Sequence, residues 1–130
     1  MKNFILVIII SFIFSSTSFA EWVKLGNKKT GTAYYENNSV RRVGEKLYAY
    51  QLTDLPTKRK VKQGIISSMI TFINIDCNSL MNKILNHTGY SENMGTGKKV
   101  FEVNFPENEF TPTIPGSIGY NFSKMACTKY

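Results

Sequence analysis

The chain has two cysteines, Cys77 and Cys127, and whether they bond decides what the domain can become. That depends on the compartment, which the N-terminus indicates. The chain opens "MKNFILVIIISFIFSSTSFAEW", with Lys2 ahead of an uncharged apolar run from Phe4 to Phe14 and a polar stretch ending in Ser18-Phe19-Ala20. A positive residue, a short apolar run and small residues at the first and third positions before a cut form the pattern of a secretory leader. The apolar run is about half the roughly 20 residues a membrane-spanning helix needs. The expectation is therefore a signal peptide over residues 1–20, cleavage before Glu21, and one mature domain over residues 21–130 with no transmembrane segment. Disulfides persist in the oxidising compartments that export leads to. Two cysteines allow a single internal bond, Cys77–Cys127. A redox pair would lie close in sequence, as in Cys-x-x-Cys, and this pair does not.

The segments around the two cysteines differ in period. In "SSMITFINIDC", Met69, Ile73, Ile75 and Cys77 share one side of a period-two alternation, with Thr71 as the polar exception. Ser68, Asn74 and Asp76 share the other with Ile70 and Phe72. This alternation predicts a strand that turns Cys77 to the core. In the tail, Ile118, Phe122, Met125 and Ala126 fall at helical spacing. Pro115 and Gly116 precede that helix, and Thr113 or Ser117 can cap it. A bond from Cys127 would tie the helix onto the sheet. On an ideal wheel Cys127 lies off the apolar stripe, so either the helix ends before it or the bond forms at the helix flank.

Further strands are expected at "EWVKL", "TAYYE", "KLYAYQLTDL" and "KVFEVNF". "GNKKTG" and "ENMGTGKK" read as turns, "NNSVRRVGE" as a polar connection with Val40 packed inward, and "PTKRKVKQG" as a loop broken by proline and charge. Residues 79–91 fit a helix or a strand, and the strand reading is preferred because they lie between a strand and a turn. The predicted class is α+β: an antiparallel meander of about six strands with one C-terminal α-helix on one face, tied by the disulfide.

The formal net charge of +7 favours anionic partners. For an exported chain these are lipid, polysaccharide or acidic protein rather than nucleic acid. The densest charge is Lys58, Arg59, Lys60 and Lys62, the candidate binding residues; an ordinary solvated connection is the simpler alternative. Trp22, Tyr34, Tyr35, Tyr48 and Tyr50 could form a stacking face, but core packing accounts for most of them more simply. His87, the single histidine, reads as an ordinary surface or strand-end residue. A hydrolase would need it beside Ser79 or Asp76. "GTGKK" lacks the first glycine of a phosphate loop, because Glu92 stands there, and reads as a hairpin turn. With both cysteines bonded, no metal cluster is expected. No cofactor motif and no catalytic constellation are present in the sequence.

"EWVKLG" after the leader, "TGTAYYENNSVRRVGEKLYAYQLTDL", an aspartate-cysteine at a strand end, "GYSENMGTGK" and "PTIPGSIGYNFSKMAC" occur in an order that resembles the surface-adhesin protein E family of Gram-negative bacteria. The resemblance implies an antiparallel sheet with a disulfide-held C-terminal helix, a bacterial envelope location, and binding to host matrix or serum proteins. The adhesins of that family are lipoproteins on the outer membrane, and no cysteine precedes Cys77 here to carry lipid. The expected location is thus the periplasm or the medium rather than the outer-membrane surface. The expected function is a non-enzymatic, adhesin-like binding module for a protein or an anionic glycan. The alternative is a periplasmic envelope stability or assembly factor that acts as a homodimer without a host ligand.

Overall fold

The computed structural model describes residues 20–130, and the expected leader lies outside the described residues apart from Ala20. Among the described residues, seven strands precede one α-helix: β1 Trp22–Lys28, β2 Gly31–Glu36, β3 Arg41–Val43, β4 Lys46–Val61, β5 Gly64–Asp76, β6 Met81–Tyr90, β7 Lys99–Asn104 and α1 Ile118–Lys129. They form one sheet in the order β1-β2-β4-β5-β6-β7. The short β3 pairs with the first part of β4, on the same side that β2 occupies further along. Every pairing is antiparallel. The expected meander and terminal helix are both present, and residues 81–90 are a strand.

Two expectations are corrected. The polar connection after β2 contains β3, because Arg41, Arg42 and Val43 ladder against Tyr48, Leu47 and Lys46. The charge run is no loop: β4 continues through it to Val61, and a two-residue turn, Lys62–Gln63, leads into β5. The strand survives Pro56 because it bulges there. Asp54 pairs with Ser68 and Arg59 with Ile66, so Leu55, Pro56, Thr57 and Lys58 stand opposite Ser67 alone. A bulge removes the need for the N–H that proline lacks.

Strand alternation decides which side chains the helix covers. Tyr35 of β2, Leu47 and Ala49 of β4, and Ile73 and Ile75 of β5 pack with Phe122 and Ala126 of α1 in one buried cluster. Val40 joins its margin as expected. The Tyr35 and Phe122 ring centroids are 5.1 Å apart. Each large apolar side chain buried here contributes about 2 kcal/mol. Ser117 is the N-cap, and its hydroxyl accepts from Tyr120 N at 3.2 Å; the Thr113 hydroxyl instead donates to Leu80 O.

Cys77 lies just past β5, with its N–H on Glu45 O at 2.7 Å, and is bonded to Cys127 with a Cα–Cα separation of 5.6 Å. The helix continues to Lys129, so the bond forms at its flank. Arg42 adds a second hold on the helix end: its Nη1 donates to Cys127 O at 2.8 Å and to Tyr130 O at 3.1 Å. A cation at a helix C-terminus also favours the macrodipole. No helix among the described residues is long and apolar enough to cross a membrane.

The disulfide closes a loop of 50 residues, for which chain entropy gives about 4 kcal/mol. The double substitution Cys77→Ser with Cys127→Ser is expected to lower stability by roughly that amount. Melting the unmodified protein with and without reductant checks this, and identical curves would contradict it.

Candidate functional site

The far end of the β4–β5 hairpin is the most basic region of the described chain. Lys58, Arg59 and Lys60 are exposed on β4, and Lys62 is exposed in the turn. Three ion pairs occur among the described residues, Arg42–Glu45, Lys46–Asp76 and Lys99–Glu102, and none involves these four. Lys58, Arg59 and Lys60 line a groove of about 460 Å³ with Leu55, Pro56 and Lys29. Lys62 is not part of its lining. The structure thus brings three of the four candidate residues together and adds Lys29 from the turn "GNKKTG".

Gly31 allows the β1–β2 turn to reach this bulge. A Cβ there would lie 2.2 Å from Asp54 O, and its φ is +151°. Asp54 is in turn fixed by the loop between β6 and β7. Its Oδ1 accepts from Met94 N at 2.8 Å and from Asn93 Nδ2 at 3.0 Å. The Ser68 hydroxyl donates to Glu92 O at 2.6 Å and accepts from Gly95 N at 2.8 Å. The "GTGKK" segment is the hairpin turn expected of it, with Gly95 and Gly97 at φ +68° and +80°. The docking of Glu92, Asn93, Met94 and Gly95 onto Asp54 and Ser68 has no signal in the local pattern.

The aromatic residues divide between the two faces, which corrects their assignment to the core. Since Leu47 and Ala49 lie under the helix, Tyr48 and Tyr50 face away from it. Tyr50 stacks on Phe72 with centroids 4.6 Å apart, and Tyr48 lies 6.1 Å from the same ring. A groove of about 450 Å³ runs across this open face, lined by Trp22, Glu36, Tyr50, Phe72, Asn86 and Asn104 among others. Its polar groups are largely paired with one another: Asn86 Nδ2 donates to Asn104 Oδ1 at 2.7 Å, and the Thr88 hydroxyl to Asn86 Oδ1 at 2.9 Å.

His87 is half-buried in the middle of β6 rather than at a strand end or on the surface. Its Nδ1 lies 2.9 Å from the Thr71 hydroxyl, and its ring sits edge-on to Phe105. Asp76 is engaged by Lys46 at 2.9 Å, and the Ser79 hydroxyl accepts from Met81 N within its own turn. These three side chains therefore do not converge.

A sheet closed on one face by a stapled helix and basic at one hairpin tip defines a compact α+β module. The chain matches the family model described as Surface-adhesin protein E over residues 22–128, and it belongs to that family. Its fold is similar to a crystal structure of protein E from non-typeable Haemophilus influenzae, with a TM-score of 0.65 at 13% identity over 89% of this chain and 80% of that one. Crystal form II of Haemophilus influenzae protein E gives 0.66 at 13% identity, over 88% and 92%. No curated protein matches the chain.

Two outcomes follow from this geometry. Gly31→Ala is expected to cost about 1–3 kcal/mol from the backbone strain alone, with the Asp54 clash in addition. It should also separate Lys29 from the β4 bulge; a melting temperature equal to that of the unmodified protein would contradict this. His87 is held below its ordinary pKa by burial. The unfolded chain therefore binds more protons below about pH 6.5, and stability should fall as the pH drops from there. His87→Asn should flatten that slope in melts between pH 7 and 5, and parallel slopes would show that His87 is not its source.

Proposed function

We propose that the protein is a non-enzymatic, exported, adhesin-like binding module of the bacterial envelope whose basic hairpin end engages an anionic partner. An anionic polysaccharide is the class that fits best. The observation that carries this reading is the cluster of Lys29, Lys58, Arg59 and Lys60 around one groove, with none of them in an ion pair among the described residues. Carboxylate or sulfate groups along a flexible glycan could follow such a groove without the close shape match a protein partner needs. Family membership supports the adhesin-like role. Export is supported by the leader pattern and the disulfide. The leader is consistent with the periplasm and the medium, which are the proposed locations.

The test is retention on immobilised heparin across a salt gradient. Replacing Lys58, Arg59, Lys60 and Lys62 together with glutamine should weaken binding at least about tenfold, a change of roughly 1.4 kcal/mol. Binding by the unmodified protein should itself fall steeply as salt shortens the range of charge attraction. Unchanged retention of the variant would remove the hairpin from the account. Retention by host matrix or serum protein but not by free polysaccharide would move the partner to the protein class. A dimer in sedimentation with no ligand retained would favour the stability-factor alternative.

A further inference from the structure

Glu36 is a buried carboxylate with no cation paired to it among the described residues. It ends β2 at 7% exposure, and none of the ion pairs among the described residues includes it. Burial pushes its carboxyl up, but hydrogen bonding outweighs that and holds the group below its ordinary pKa. The Ser39 side chain lies close by, although its hydroxyl makes no aligned bond. The N–H groups of Glu21 and Asn38 donate to Glu36 Oε1 at 2.9 and 3.1 Å. The site therefore holds an anion, and a buried anion is costly unless it is paired.

The nearest of these nitrogens belongs to Glu21, whose position is fixed independently. Asn37 N donates to Glu21 O at 2.9 Å, and Trp22, the next residue, pairs with Glu36 across the β1–β2 ladder. Glu21 is also the residue that directly follows Ser18-Phe19-Ala20. We propose that removal of the leader between Ala20 and Glu21 supplies the missing countercharge: the new α-ammonium of Glu21 pairs with the Glu36 carboxylate, which is the receptor for the mature N-terminus. In the step itself, a leader peptidase adds water across the Ala20–Glu21 peptide bond. Ala20 leaves as a carboxylate, and the Glu21 nitrogen leaves as an amine that takes up a proton near neutral pH. In the uncleaved chain the same nitrogen is an amide that donates one hydrogen bond and carries no charge.

The other charged groups near Glu36 do not replace that ammonium. The Glu21 carboxylate accepts from Asn37 Nδ2 at 3.5 Å, and Lys99 on the far side of the groove is paired with Glu102 at 3.1 Å. The pairing would lock the start of β1 at the rim of the groove that Trp22 lines. The inference rests on export, which the proposed function also assumes, but not on the basic hairpin being a binding surface.

The experiment begins with the N-terminal sequence and intact mass of the exported protein, which should start at Glu21. An amine-selective reagent at pH 7 then compares the N-terminal labelling rate of that protein with Glu36→Gln. A carboxylate partner that raises the α-amine pKa by one unit slows labelling about tenfold, and Glu36→Gln should restore the ordinary rate. If Glu36→Gln fails to fold, the comparison is with a refolded, oxidised chain carrying one extra glycine ahead of Glu21. Its amine lies beyond Glu36 and should label at the ordinary rate. A different first residue, or a mature amine that labels as fast as the comparison chain's, would overturn the proposal. Both results are independent of heparin retention, so the two readings can fail separately.

Discussion

The packing of α1 on the sheet, locked by the Cys77–Cys127 bond, is the contact on which the rest depends. A helix of this length is marginal alone. Its buried residues are Phe122, Ser123 and Ala126, and Ser123 brings a hydroxyl with no hydrogen-bond partner. So small an interface gives limited hydrophobic stabilisation. The disulfide and the Arg42 hold on the helix C-terminus make it permanent. Together they place Leu47, Ala49, Ile73 and Ile75 under cover.

Once the helix covers one face, strand alternation determines the character of the other. Tyr48, Tyr50, Phe72 and Trp22 are left on the open side, where they stack and line a groove instead of filling a core. The β6–β7 loop folds back over part of that side through Ser68 and Asp54. The same anchoring shapes the β4 bulge, because Asp54 and Gly31 meet there. Helix, open face and basic hairpin are therefore linked through β4 and β5, the two longest strands.

The fold class was legible because its signals are local. Period-two alternation around Ile73 and Ile75, helical spacing in the tail and a single cysteine pair needed no long-range information. The errors came where tertiary context decides. Pro56 among cations read as a loop, since the sequence pattern does not show that a bulge can absorb proline within a paired strand. Tyr48 and Tyr50 read as core because large aromatics attract burial, yet the small Ala49 and the neighbouring Leu47 are what the helix has room for. Lys29 joins the basic groove through a turn far away in sequence, and only the lysine pair in "GNKKTG" hinted at it. The role of Glu36 is visible only when its burial and its distance to Glu21 are known together.

In the proposed function, the stapled end of the molecule supplies stability and the tip of the β4–β5 hairpin recognition. Hydrogen exchange of the oxidised protein, read by mass spectrometry with and without a sulfated polysaccharide, tests that division most directly. The expected result is slowed exchange in segments 28–32 and 55–64 on binding, with no change across residues 118–129. Protection confined to the helix or to the groove beside Trp22, or no protection anywhere, would contradict it.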